Sequence, residues 1–129
     1  MTKHTVWVID DDRAIRWVLE RALTQAGLLV SSFEDATSAL TRLKHEQPMT
    51  LVSDIRMPGI DGLSFLAQVR ELHPHVPVII MTAHSDLSSA VASYQGGAFE
   101  YLPKPFDVDE AVALVQRAIV HHLEQITPV

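Results

Sequence analysis

The chain has 129 residues, with 16 acidic and 10 basic side chains, a formal net charge of −6 and no cysteine. That is one ordinary domain, long enough to bury a core unaided. The missing thiols exclude a disulfide framework and any thiolate metal site, and the acidic balance argues against the domain gripping nucleic acid by itself.

With 47% hydrophobic and 20% charged residues the composition is that of a soluble globular domain. The longest purely apolar run, Val78-Ile79-Ile80-Met81, is far too short for a bilayer. Met1-Thr2-Lys3-His4 leads straight into a strand-like run without the apolar stretch of a signal peptide, so the expected location is the cytoplasm.

Val6-Trp7-Val8-Ile9 is a continuous apolar run, the pattern of a strand buried on both faces, and it stops at Asp10-Asp11-Asp12. From Ile15 the period changes. Ile15, Val18, Leu19, Ala22, Leu23 and Ala26 mark one face of a helix that Gly27 closes. Leu28-Leu29-Val30 opens a second strand running to about Phe33. Asp35 is placed to cap a second helix with Ala36, Ala39, Leu40 and Leu43 inward, closed off by Pro48.

The third strand, Leu51-Val52-Ser53-Asp54, is followed by Ile55-Arg56-Met57 and a Pro58-Gly59 pair that turns the chain away. Gly62 or Leu63 opens a third helix, carrying Leu63, Phe65, Leu66, Val69 and Leu72 and ending before Pro74. Pro77 introduces Val78-Ile79-Ile80-Met81, the most β-like run, which stops at Thr82-Ala83.

Ser85 is expected to cap a fourth helix from Asp86 to about Gln95, ended by Gly96-Gly97. Asp86 then lies in the first turn, at the positive end of the helix dipole. This helix is intrinsically poor, with Ser88, Ser89 and Ser93 in it and a modest apolar set of Leu87, Ala90, Val91 and Tyr94. Its doubled glycine is expected to loosen the end further.

Phe99-Glu100-Tyr101-Leu102 makes a fifth strand ending at Pro103-Lys104-Pro105. Asp107 with Glu110 resembles a capping box for a last helix, which has Val108, Ala111, Val112, Val115 and Ile119 on one face. His121-His122 reads as an exposed pair near its end, and Thr127-Pro128-Val129 as an end leading elsewhere. The expected organisation is therefore a domain over residues 1–124 and the start of a linker over 125–129.

Five βα units in strict alternation imply an all-parallel sheet covered on both faces, a doubly wound α/β domain. Strand order is not legible from periodicity. In such a sheet ligands bind outside the carboxyl ends of the strands. Here those ends carry Asp10-Asp11-Asp12, Asp54, Thr82 and Lys104.

Carboxylates without Cys or a nearby His pair suit a hard divalent cation, with Mg²⁺ the natural occupant. Without the cation their mutual repulsion raises at least one pKa. A hydroxyl and an ammonium suit a tetrahedral oxyanion. A lone Asp before Pro-Gly is more often a turn residue. Four strand ends together read as a carboxylate nucleophile, a divalent metal and two donors for a phosphoryl group.

Four motifs carry a resemblance: Trp7-Val8-Ile9-Asp10-Asp11-Asp12, Ser53-Asp54-Ile55-Arg56-Met57-Pro58-Gly59, Met81-Thr82-Ala83-His84-Ser85-Asp86 and Tyr101-Leu102-Pro103-Lys104-Pro105-Phe106. Together, and across essentially the whole chain, they resemble the receiver domains of two-component response regulators. Within that family they are most similar to receivers of nitrogen-regulating, sigma-54-dependent transcription activators.

The resemblance implies a flavodoxin-like (βα)5 fold with strand order 2-1-3-4-5. It also implies that Asp54 takes a phosphoryl group from a sensor histidine kinase. Asp11 would bind Mg²⁺ with Asp54 and the main-chain carbonyl of Arg56, and Asp10, or alternatively Asp12, would complete the acidic pocket. Thr82 and Lys104 would contact the phosphoryl oxygens, with the Lys104–Pro105 bond cis and Tyr101 as switch aromatic. Such a domain is not a conventional enzyme but a phospho-acceptor that assists its own phosphorylation and dephosphorylation.

Implied partners are the kinase, the ATPase and DNA-binding output domains of a longer protein, and a second copy in a phosphorylation-dependent homodimer. Phosphorylation is expected to shift the fourth helix, which begins near Asp86, and to reveal Leu87, Val91 and Tyr94. His84 reads either as a hydrogen-bonding member of the relay or as a loop imidazole without a role.

Rival readings fit less well. A haloacid dehalogenase-type phosphatase resembles Asp-x-Asp at its nucleophile, but Arg56 stands two after Asp54. A nucleotide-binding module lacks its glycine-rich loop after the first strand. A degenerate receiver serving only as a protein-binding scaffold is the remaining alternative.

Overall fold

The computed structural model describes residues 4–126; Met1–Lys3, and the tail Thr127–Val129 read above as leading elsewhere, lie outside the described residues. Strands and helices alternate in the order β1 (Thr5–Ile9), α1 (Arg13–Gln25), β2 (Leu29–Phe33), α2 (Ala36–Leu43), β3 (Thr50–Asp54), α3 (Gly62–Leu72), β4 (Val78–Ala83), α4 (Leu87–Gln95), β5 (Glu100–Lys104) and α5 (Val108–Ile126). The strands form one parallel sheet in the order β2-β1-β3-β4-β5, the doubly wound arrangement expected.

Strand sequence explains strand position. All five residues of β3 are buried, Thr50, Ser53 and Asp54 among them, as a central strand covered on both faces requires. The edge strand β2 carries Ser31 and Ser32, and β5 carries Pro103. A proline has no N–H for a second neighbour, and an edge strand has none to satisfy.

Side chains alternate between faces along each strand, so the core has two layers. Trp7, Ile9, Leu51 and Ile80 meet α2 and α3 through Leu40, Leu43, Phe65 and Leu66. Val6, Val8, Val52, Ile79 and Met81 meet α1 and α5 through Leu19, Leu23, Ala111, Val115 and Ile119.

Several boundaries differ from the sequence reading. α1 begins at Arg13, two residues before Ile15, because the Asp12 carboxylate caps it by accepting the Ala14 N–H at 2.9 Å. Asp86, not Ser85, caps α4, accepting from the Ser89 N–H at 3.1 Å and the Ser89 hydroxyl at 2.6 Å. A carboxylate is the stronger acceptor for a helix's free N–H groups. At α5 the Asp107 carboxylate accepts from the Asp109 N–H at 2.7 Å, rather than from Glu110.

α5 continues through Ile126, so residues 125 and 126 are helical where a linker was expected to begin. His122 is buried at 2% exposure, not exposed, because it continues the inward row of Ala111, Val115, Ala118 and Ile119. The paired glycines are not equivalent. Gly97 has φ +97, which glycine favours, whereas Gly96 is an ordinary right-handed helix cap whose Cβ would meet Leu66 at 3.1 Å. Gly96 thus marks one close approach to Leu66 of α3 rather than slack at that helix end.

Candidate functional site

β1, β3, β4 and β5 all deliver side chains to the carboxyl edge of the sheet. Hydrogen bonding carries β4 through Thr82 and Ala83 and β5 through Lys104, with Thr82 opposite Pro103 and Ala83 opposite Lys104. Both site residues are therefore strand residues rather than loop residues, held by the ladder.

Oxygens of Asp10, Asp11 and Asp54 lie within 4.8 Å of one another. Asp10 is fully buried, Asp54 is 8% exposed, and Asp11 faces solvent. Asp12 is not in this group. Its side chain is spent on capping α1, so Asp10 is the second buried member of the pocket.

A helix starting at Arg13 turns Asp12 outward, and the Asp12 N–H donates to Asp10 Oδ1 at 2.9 Å. Arg16, which sequence reasoning missed, steadies the same turn by donating from Nη1 to the Asp10 carbonyl at 2.6 Å. Its position one turn into an amphipathic helix carried no signal for this.

Lys104 Nζ donates to Asp10 Oδ2 at 2.8 Å and to Asp54 Oδ1 at 3.2 Å. Burial raises the Asp10 carboxyl above its ordinary value, although Lys104 and the Asp12 N–H oppose it. Burial acts to lower the Lys104 ammonium, but Asp10 and Asp54 outweigh it, so its pKa ends above the usual lysine value. One cation thus bridges two of three crowded carboxylates.

Thr82 is 1% exposed, and its hydroxyl oxygen makes no hydrogen bond among the described residues. Leaving such a group unmatched costs about 1–3 kcal/mol.

A cleft of about 520 Å³ opens beside Asp11, lined by Ile55, Arg56, Met57, Pro58, Asp61, Leu63 and Ser89. Arg56 is exposed, and its Nη2 donates to Asp86 Oδ2 at 3.1 Å. Asp86 lies below the ordinary carboxylate range because of the Ser89 hydroxyl and N–H first and Arg56 after them. His84 is exposed and tied to β5 through its main chain, its N–H donating to the Lys104 carbonyl at 3.2 Å.

Tyr101 is half-buried on β5, edge-on to Tyr94 of α4 with ring centroids 5.6 Å apart. Leu87, Val91 and Tyr94 are already exposed, at 71%, 49% and 45%. In this conformation the expected apolar patch is therefore open rather than hidden. The Lys104–Pro105 peptide is cis. No helix among the described residues is long and apolar enough to cross a membrane.

This sheet, with a carboxylate cluster, a bridging lysine and a buried hydroxyl at its carboxyl edge, defines a phospho-acceptor type of α/β domain. Residues 6–116 match the response regulator receiver domain family, and the chain belongs to it. It is 61% identical over 99% of its length to the DNA-binding transcriptional regulator NtrC of Salmonella typhimurium, of which it spans 27%. It is 42% identical over 88% of its length to the C4-dicarboxylate transport transcriptional regulatory protein DctD of Rhizobium meliloti, spanning 25% of it.

Among solved structures, the apo receiver domain of nitrogen regulatory protein C is 61% identical and superposes with a TM-score of 0.85, covering 95% of this chain and 99% of that one. The BeF3-activated form of that domain gives 0.80, covering 95% and 98%. The chain is thus a two-component receiver domain similar to that of NtrC, and not a conventional enzyme.

Proposed function

We propose that Asp54 is the phospho-acceptor of this receiver. A carboxylate oxygen attacks the phosphorus of a sensor kinase's phosphohistidine, the P–N bond breaks, and the imidazole leaves with the electron pair. The product is an acyl phosphate on Asp54.

The observation that carries this reading is the convergence on one sheet edge of Asp54, the buried acidic partner Asp10, the bridging Lys104 and the unmatched Thr82 hydroxyl. Lys104 leaves its carboxylates in part to bind a phosphoryl oxygen. The Thr82 hydroxyl gains the acceptor it lacks and donates to a second oxygen. Tyr101 adjusts against Tyr94 as that hydroxyl turns.

The all-oxygen donor set fits Mg²⁺, which Asp11, Asp54 and the Arg56 carbonyl would hold, with Asp10 as the further acidic residue. When bound, Mg²⁺ neutralises charge on the carboxylates and the phosphoryl oxygens. The same constellation admits water for hydrolysis, so the domain assists its own dephosphorylation.

Since every phosphorylation position is present, a scaffold-only role is not favoured. We place the domain in the cytoplasm, ending after α5. The family resemblance implies ATPase and DNA-binding output domains in a longer protein, and a phosphorylation-dependent homodimer. Mass spectrometry after acetyl phosphate and Mg²⁺ treatment tests the acceptor. One added phosphoryl group on the wild type and none on Asp54→Asn is expected; an unmodified wild type would overturn the reading.

A further inference from the structure

Asp86 holds three donors at once: the Ser89 N–H at 3.1 Å, the Ser89 hydroxyl at 2.6 Å and Arg56 Nη2 at 3.1 Å. The first two belong to α4 itself and cap it. The third comes from the loop after β3, two residues beyond Asp54 in the chain. It is a direct ionic tie between the acceptor loop and the first turn of α4.

α4 needs such a tie more than the other helices do. Its buried residues are Ala90 and Ser93, and Leu87, Val91 and Tyr94 face outward. A helix with so little apolar burial is held weakly against the domain and opens at low cost.

We propose that the Arg56 side chain is a positioning residue of the switch, tethering the N-cap of α4 through Asp86 until a phosphoryl group at Asp54 draws the guanidinium away. The inference rests on Asp54 being the acceptor. The phosphoryl group brings about −1.5 to −2 charge and three acceptor oxygens. A guanidinium prefers the planar, bidentate match that such oxygens offer. Asp86 is a single charge already served by Ser89, so it competes poorly for the same cation.

The route is open. Arg56 and Ser89 line the same cleft beside Asp11, and the Arg56 side chain is 81% exposed, so nothing packed around it must move. Once Arg56 leaves, α4 keeps its own cap but loses its link to the acceptor loop, free to shift as a unit.

Hydrogen exchange of the α4 amides in this chain tests the tether, with Arg56→Gln, Asp86→Asn and the double variant beside wild type. Asp86→Asn retains a capping oxygen while removing the charge. Arg56→Gln is expected to speed exchange across residues 87–95 of the unphosphorylated chain by about twofold to fivefold, the range of an exposed ion pair. Arg56→Lys restores part of the protection. In the Asp86→Asn background Arg56→Gln adds nothing further, and about 1 M salt brings the wild type to the Arg56→Gln rate.

Unchanged α4 exchange in Arg56→Gln, equal acceleration in all elements, or additive effects of the two substitutions would each overturn the tether. These measurements need no phosphoryl group. A wild type that acetyl phosphate fails to modify therefore refutes the acceptor assignment separately.

Discussion

Gly62 stands at the first position of α3, and a Cβ built there would lie 2.5 Å from both the Asp54 carbonyl oxygen and the Ile55 Cα. Ordinary contact begins near 3.4 Å, so Gly62→Ala must open this approach by about 0.9 Å. Both obstacles are backbone, so no side chain can swing aside. Either α3 retreats, stretching the 2.8 Å bond from the Gly62 N–H to the Ile55 carbonyl, or the end of β3 moves.

Overpacking of this kind costs about 1–3 kcal/mol. Alanine returns up to about 0.5–1 kcal/mol as the better helix residue. The central values leave a net loss of about 1 kcal/mol, or roughly 4 °C in the thermal midpoint. Urea and thermal unfolding would measure it, with Gln68→Ala on the exposed face of α3 as the control. Because Asp54 lies at the point of contact, modification by acetyl phosphate should also slow. A neutral or stabilising Gly62→Ala would show that propensity outweighs the close approach, and would refute the reasoning.

Lys104→Met removes the cation from Asp10 and Asp54. Breaking a fully buried pair costs about 3–5 kcal/mol; with Lys104 24% exposed, about 1–3 kcal/mol is expected at neutral pH. The Asp10 carboxyl, already raised by burial, rises further in that variant. The native state then binds more protons than the unfolded one, so the loss should shrink as pH falls towards about 5, read by urea midpoints.

Mg²⁺ at a hundredfold its dissociation constant should stabilise the wild type by about 2.7 kcal/mol in the same assay, and Asp11→Asn should abolish that gain. His122 is held below the ordinary histidine value of 6.5, chiefly by burial, with His75 and His121 opposing its charge as well. Its contribution is complete above that value and is lost as pH falls below it, because the unfolded chain binds the proton more readily. His122→Leu should therefore show a smaller drop in stability between about pH 7 and pH 5.5 than wild type does.

The strand ends and the helical periods were legible from residues alone because both are local patterns. An apolar run ending in Asp54, or a proline before β4, constrains its neighbours whatever lies across the sheet. Resemblance then supplied strand order, and the hydrogen-bonded sheet agrees with it.

What sequence could not settle were choices between adjacent candidates. Asp10 and Asp12 are chemically equivalent in the text of the chain; only the start of α1 at Arg13 turns one inward and spends the other as a cap. Ser85 and Asp86 compete in the same way for α4. His121 and His122 differ by one helical step, about 100° of rotation, which buries His122 and sets His121 tilted against Phe99 with ring centroids 5.1 Å apart.

The close approach of Gly62 to Asp54 and the tie from Arg56 to Asp86 join elements 8 and 30 residues apart. No periodicity records such contacts. By itself the sequence determined which groups reach the carboxyl edge, since strand ends are written in local polarity. Tertiary structure alone decided which of them meet, because that depends on the rotation of each helix and the packing of one element on another.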